Sequence, residues 1–328
     1  MTTAMIPISI EDPVNAAILA VSEDRISGFW RNPLAEIAVQ SGQPLPVVIE
    51  RIRAMLDAGV IRRVRQTLLA TNLAHGALVA WSVPAARLQA AFDTMFQDDP
   101  FSGHVVLRST DGATAGSQYR LWTTLKVPQG YSLEKHAQHL QANVGAEAYR
   151  IMPAKFLFAL GVGHTRRRGL EPGSRTDGLA DVQTPAVVAL SDMQWRVLTA
   201  LKREFEPAEL TEDPWRARSD EADVSLDTFL EVATELNRLD VIGRFSTFLE
   251  HVKELPTGER VTRYNGLFHW TVPAGREIDA GREVGRHHVI THAYWREGGP
   301  EFGNVNLMAV AHGSEKPLLL EHKRAIDE

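Results

Sequence analysis

The feature that most restricts how this chain can fold is that it is written twice. The segment ALVAWSVP at 77–84 returns as LFHWTVP at 267–273, so that Trp81 and Pro84 match Trp270 and Pro273. GHVVLR at 103–108 returns as THAYWR at 291–296, giving His104-x-x-x-Arg108 and His292-x-x-x-Arg296. Upstream, IERIRAMLDAGVIRRV (49–64) returns as LEVATELNRLDVIGRF (230–245). Matches in one order at nearly constant spacing define two homologous halves. Between them, GVGHTRRRGLEPGSRTDGLADVQTP (161–185) is rich in glycine, proline, serine and charge and keeps no apolar period, so it reads as a linker. Its Arg166–Arg168 run reads as solvated, the alternative being contact with an anionic ligand or the other half.

Each half opens with helices. NAAILAV begins the first, PLAEIAVQSG ends at a glycine suited to a helix C′ position, and LPVVIERIRAMLDAG repeats apolar residues at Val48, Ile49, Ile52, Met55 and Leu56. This is a helix-turn-helix pattern followed by a strand, VIRRVRQTLLA. SDMQWRVLTALKREF and SLDTFLEVATELNRLDVI repeat it, with Ser191 placed to cap. The first half then reads strand 77–83, helix 86–97, strand 103–109, strand 118–127, helix 131–144 and strand 150–160. That order is βαββαβ, a ferredoxin-like sheet with helices on one face. The second half reads strand 266–272, helix 276–283, strands 287–296 and 304–311, and a terminal helix 315–326, stopping before the last strand.

The expected class is therefore α+β, two tandem repeats of a helix-turn-helix and a ferredoxin-like βαββαβ sheet domain, the second one truncated. The expected segments are 1–62, 63–160, the linker 161–185, 186–242 and 243–328. With 328 residues the chain can bury two or three cores. It has no cysteine, which excludes disulfides, thiolate metal sites and cysteine nucleophiles. No apolar run approaches the roughly 20 residues of a membrane span, and the N-terminus lacks a basic n-region, so a soluble, cytoplasmic protein is expected.

A helix-turn-helix followed by βαββαβ resembles the Lrp/AsnC transcriptional regulators, which raises DNA as a partner. The formal charge of −6 argues against it, because non-specific affinity comes mainly from neutralised phosphates. The first recognition position, QPLPVVIER, offers almost nothing to a base edge, and the second carries Asp223, Asp227, Glu231 and Glu235. Both helix-turn-helix units are thus expected to be structural.

On a strand, alternate residues share a face, so His288, Ile290, His292, Tyr294 and Arg296 are expected together, and likewise His104, Val106 and Arg108. A single such histidine is ordinarily a satisfied, half-buried sheet residue. A pair repeated with arginine four residues later points to chemistry instead. Arginine grips a carboxylate as a fork, and a histidine titrating near neutral pH delivers or accepts a proton. No P-loop, dinucleotide glycine motif or Ser-His-Asp order stands out, so proton chemistry on an acidic substrate without a cofactor is expected. His136-x-x-His139 could seat a metal but has no third ligand and reads as a solvated helix face. Trp81 and Trp270 read as core, His287 as solvent-facing, and REGGPEFGN (296–304) as a hairpin loop or a flap over a ligand.

GVIRRV followed by VAWSVP, and above all THAYWREGGPEFGNVNLMAVAHG, is similar to the siroheme decarboxylases, a branch of the AsnC-like fold. That family shows a His-Cys-Tyr-x-Arg strand, a loop, Tyr-Asn-Leu and a His-Gly pair. The counterparts here are His292, Ala293, Tyr294 and Arg296, then Val305, Asn306 and Leu307, then His312 and Gly313. The resemblance implies removal of carbon dioxide from two acetate side chains of siroheme, without an added cofactor, the iron being carried by the substrate. His292 would donate a proton to the carbon left behind, and His104 would serve the second acetate or ligate the substrate's iron. Arg296 and Arg108 would grip ring carboxylates and Tyr294 would hydrogen-bond one, with His288 and Asn306 on the same binding surface. The first half has Val105-Val106 where the family has Cys-Tyr, so its sheet is expected to contribute charge through Arg108, Arg120 and Lys126. Siroheme or a related iron tetrapyrrole is the implied partner, and a homodimer through the sheet domains is the implied assembly. The alternative is a tetrapyrrole-binding or ligand-responsive regulator that performs no decarboxylation.

Overall fold

A computed structural model of the chain describes residues 6–69, 72–110, 112–160, 169–185, 187–250, 254–258 and 263–328, so the Arg166–Arg168 run lies outside the described residues. Three helices come first, α1 (Pro13–Ser22), α2 (Pro33–Ser41) and α3 (Leu45–Asp57), with the short strand β1 (Ile26–Ser27) between the first two. Asp12 caps α1 by accepting from the amides of Val14 and Asn15, both at 3.1 Å. Gly42 ends α2 at φ 67°, a left-handed conformation that glycine adopts at little cost. Strand β2 (Ile61–Leu68) follows α3. In the second half, α6 (Asp192–Leu201), α7 (Arg216–Glu221), α8 (Leu226–Arg238) and β8 (Ile242–Leu249) repeat this arrangement, Ser191 forming a capping box with Gln194.

The two helix-turn-helix segments do not stand apart. Strand β8 pairs with both β1 and β2, so one three-stranded sheet is shared between the halves. A single apolar core runs through both, from Ile18, Ile37 and Ile52 to Trp215, Phe229 and Phe245. Each segment alone presents an amphipathic face too small to close a core, and pairing them buries both. The outward face of α8 carries exposed Asp227, Glu231 and Glu235, with exposed Asp223 just before the helix, a surface that repels a phosphate backbone.

The sheet domains follow the same logic. Strands β3 (His75–Ser82), β4 (Ser102–Leu107), β5 (Tyr119–Val127) and β6 (Ala148–Met152), with α4 (Leu88–Asp93) and α5 (Leu133–Val144), form an antiparallel sheet in the order β4-β5-β3-β6. Trp81, Leu121 and Leu125 face the helices. The expected strand 150–160 is in fact two: it breaks after Met152, and β7 (Phe156–Leu160) crosses to the second sheet. There it joins β9 (Tyr264–Trp270), β10 (Ile290–Trp295) and β11 (Leu307–Gly313) in the order β7-β10-β11-β9, backed by α9 (Glu277–Gly285) and α10 (Lys316–Asp327). The first half thus supplies the fourth strand that the second lacks, which explains why a truncated repeat is stable.

The helix-free faces of the two sheets pack against each other. Ala80, Trp122 and Met152 of the first meet Met308 of the second, and Phe302 from the 296–306 loop wedges between Tyr119 and Trp122 at ring distances of 4.9 and 5.5 Å. That loop is therefore a packed plug held by aromatic contact. The two sheet domains thus pair face to face within one chain. The linker is no free tether either: Leu157 bridges to Gln183 and Arg175 to His287, laying residues 169–185 along α9. Among the described residues no helix is long and apolar enough to cross a membrane.

Candidate functional site

Strand β10 carries the most chemistry. Ala293 packs toward α9, so His292 and Tyr294 point the other way, into the space between the sheets. Their rings lie nearly parallel with centroids 6.3 Å apart. Arg296, just beyond the strand, places its guanidinium carbon 4.4 Å from the Tyr294 ring centroid and donates from Nη1 to the Met152 carbonyl. Arg296 is only 8% exposed, and none of the described residues gives it an acidic partner. Burial lowers its pKa, with Tyr294 acting in the opposite direction, and burial raises that of the Tyr294 phenol while Arg296 opposes the shift.

On the first sheet, Lys126 and His104 form a second basic group. Lys126, near the end of β5, has its pKa lowered first by burial and then by repulsion from Arg296. His104 sits on the edge strand β4 at a bulge, where Gly103 and His104 stand opposite Thr124 and the His104 amide donates to the Thr124 hydroxyl at 2.8 Å. Solvent reaches its imidazole, yet surrounding protein crowds it enough that burial is the largest cause of a lowered pKa. Lys126, Arg63, Arg65 and Arg62 add repulsion. The last three come from β2 of the shared helix-turn-helix sheet, so that domain contributes a cationic wall. Those arginines were not singled out from the sequence, although GVIRRVRQ displays them. What hid their role was the long-range folding that brings β2 beside β4.

Other expected members lie elsewhere. A bulge between Ile290 and His292 breaks the alternation, so Ile290 enters the helix-side core and His288 leaves the row. His288 instead meets the linker, its Nδ1 2.9 Å from the Ser174 hydroxyl. The neighbouring His287, expected to face solvent, is 3% exposed. The Asn306 carboxamide is spent on the backbone: Nδ2 donates to the Val272 carbonyl at 2.8 Å and Oδ1 accepts from the Val272 amide at 2.7 Å. Arg120 is the extra residue of another bulge at the start of β5 and is exposed there. Arg108 faces the intersheet side, stacked 5.7 Å over Trp122, but it lines a different cavity, at the edge where β4 meets β9. The two His-Arg couples therefore do not share one hollow, because their arginines diverge to opposite edges of the sandwich.

The remaining histidine pair is accounted for by local contacts. His136 Nε2 lies 2.8 Å from the Asp99 carboxylate, and His139 Nε2 lies 2.9 Å from the Asn143 amide. No group of three or more potential metal ligands occurs among the described residues. Trp81 is fully buried, its indole donating to Thr123, in keeping with a core role.

Residues 73–158 match the family model of the AsnC-like ligand binding domain. Two solved structures share the fold of nearly the whole chain, both of the siroheme decarboxylase NirDL, one of them in co-complex with an iron-uroporphyrin III analogue. Each is 18% identical with a TM-score of 0.65, and the match covers 96% of this chain and 86% and 87% of those chains respectively. No curated protein matches the chain in sequence.

Proposed function

We propose that this chain, an AsnC-like sheet domain and its partner built on the NirDL fold, decarboxylates a carboxylated iron tetrapyrrole, removing carbon dioxide from two acetate side chains of siroheme. One observation carries this reading. A buried arginine with no acidic partner among the described residues sits in line with a tyrosine and a histidine, and a lysine of the first sheet lies within its electrostatic reach. Excess buried positive charge is costly in a free protein and is repaid when anions arrive. The NirDL complex with an iron-uroporphyrin analogue supplies the chemical class of that anion.

The chain's residues divide the work as follows. Arg296 and Lys126 hold carboxylates of the pigment, and the basic strand β2 attracts those at its rim. Tyr294 fixes the orientation of Arg296 through the stacked ring and donates its phenol proton to a carboxylate. When the bond from the acetate methylene to its carboxylate breaks, carbon dioxide leaves and the electron pair stays on the methylene carbon, delocalised into the macrocycle. Protonated His292 then transfers its proton to that carbon, leaving a methyl group and a neutral imidazole that solvent reprotonates. His104, neutral beside its cationic neighbours in the free protein, takes up a proton when the substrate's carboxylates offset that charge and then acts equivalently on the second acetate, or meets the iron of the substrate. General acid catalysis of this kind contributes on the order of 10² to 10⁴ in rate. Burial of the reacting carboxylate favours its loss as a neutral molecule.

Anaerobic mixing with siroheme tests the proposal. The visible spectrum should shift on binding, and mass analysis of the extracted pigment should show loss of two carbon dioxide units. Binding with an unchanged pigment would favour a tetrapyrrole-binding regulator, and no spectral change would end both readings.

A further inference from the structure

The bulge in β10 does more than turn His288 away. On a regular strand, consecutive side chains point to opposite faces, so those of residues 291 and 292 could not meet. Here the register shifts between Ile290 and His292, and the Thr291 hydroxyl comes round to lie 3.0 Å from Nδ1 of His292. The same hydroxyl lies 3.3 Å from Nδ1 of His312 on the neighbouring strand β11 and donates to the Val310 carbonyl at 3.0 Å. Nε2 of His312 is in turn 3.2 Å from the amide nitrogen of Asn265 on β9. Thr291 is buried, so three strands converge on one hydroxyl away from bulk water.

The number of protons available places each of them. A threonine hydroxyl has one proton and two lone pairs, and a carbonyl only accepts. With the Thr291 proton given to Val310, each imidazole contact must bring its own, so His292 and His312 both carry a proton on Nδ1. An amide nitrogen only donates, so Nε2 of His312 accepts from Asn265, in agreement with a proton on the other nitrogen of that ring. Every bond then has one donor and one acceptor. The other nitrogen of His292, Nε2, is the one farther from the backbone, on a ring that points between the sheets.

The first half has no such device. Gly103 precedes His104 where Thr291 precedes His292. Val106 pairs with Trp122 as Tyr294 pairs with Met308, so four residues further on Lys126 takes the place of His312.

We propose that Thr291 and His312 are positioning residues for His292, holding its Nδ1 as an N–H donor so that Nε2 carries the proton delivered to the pigment. The inference rests on the proposed role of His292 as proton donor. Nε2 gives its proton to the methylene carbon and keeps the electron pair of that N–H bond. The ring is then neutral and still protonated on Nδ1, and solvent reprotonates the same atom without any turn of the ring. A third group that orients an acid-base histidine and fixes its tautomer is a recurring support for such chemistry.

Nuclear magnetic resonance of the full-length protein with isotopically labelled histidine nitrogens reads the tautomer with or without pigment. Signals are assigned by their absence in His292→Gln and His312→Gln, and both rings in their neutral forms should carry the proton on Nδ1. Thr291→Val keeps the branched shape and removes the acceptor. It should move His292 toward the Nε2–H form and lower kcat on siroheme by about 10- to 100-fold, a part of what general acid catalysis supplies, with KM changed less than about threefold. Thr291→Ser retains the hydroxyl and should restore both the tautomer and the rate. A neutral His292 protonated on Nε2 in the unmodified protein would overturn the assignment whatever happens to the pigment, as would a Thr291→Val protein with kcat unchanged. Nδ1 protonation in a protein that releases no carbon dioxide would refute the proposed function, on which the use of Nε2 depends, while upholding Thr291 as the group that sets the tautomer.

Discussion

Replacing Arg296 by methionine separates a residue kept for a ligand from one kept for the fold. Methionine preserves most of the apolar stem and removes the charge. Two favourable terms are lost: the hydrogen bond from Nη1 to the Met152 carbonyl, about 1.5 to 3 kcal/mol for a charged donor, and the stack on Tyr294, about 0.5 to 2 kcal/mol. Against them stands the desolvation of a guanidinium that is 8% exposed and lacks an acidic partner among the described residues, a penalty of several kcal/mol. The terms nearly cancel, so Arg296→Met should change the unfolding free energy by less than about 2 kcal/mol, in either direction. Pigment affinity should meanwhile fall by about 10- to 150-fold, the value of one charge-assisted contact. Urea unfolding and an equilibrium siroheme titration on the same preparation measure both. A loss of stability above about 3 kcal/mol with affinity unchanged would show that Arg296 is a structural cation and would remove the main support for the proposed site.

Three further outcomes follow from the structure. Arg218, fully buried and bridged to Glu209 and Glu221 at 2.7 and 2.8 Å, is the structural counterpart: Arg218→Met strands those carboxylates and should cost about 3 to 5 kcal/mol in urea unfolding without altering pigment affinity. His292→Ala should lower the decarboxylation rate by about 10² to 10⁴ while binding persists, a rate unchanged within tenfold excluding it as the proton donor. His104 has a folded pKa below its ordinary value of about 6.5, so the folded protein binds fewer protons there than the unfolded chain does. That contribution to stability is complete above about pH 6.5 and disappears as pH falls through the folded pKa, so His104→Ala should flatten the acid limb of a stability-versus-pH curve. An identical limb in the two proteins would show that His104 is not held neutral by its surroundings.

Much of the fold could be read from the chain because its signals are local. Apolar periods, the cap at Ser191 and the αL glycine at 42 place the helices within a few residues. The repeat placed the sheet strands equally well. What could not be read is long-range. No local signal separates one strand at 150–160 from two strands in different sheets, since Pro153 marks a break but not where the chain goes next. At the site, alternation correctly put His292 and Tyr294 on one side and failed at His288, because a single inserted residue at a bulge reverses parity. Asn306 shows the other limit, since a motif match gives a residue's position but not whether its hydrogen bonds are already taken by Val272.

The shared elements also decide whether the halves can work apart. Strand β7 belongs to the first half by sequence and to the second sheet by pairing, where residues of β10 from Ala293 to Trp295 bond against it. The helix-turn-helix core is likewise common property, with β8 between β1 and β2. A chain ending at residue 168 would expose the partnerless β7 and half of an apolar core, and one beginning at residue 169 would expose the β10 edge that β7 covers. Exposed strand edges and apolar faces of this size favour aggregation over folding. Segments 1–168 and 169–328 produced separately should therefore be insoluble, whereas the two produced together should assemble into a stable complex that binds pigment. The test is co-purification through a tag on one segment followed by siroheme titration. Recovery of a soluble, pigment-binding single segment would show that each half completes its own site, and that the crossed strand is an accessory of the fold and no requirement of it.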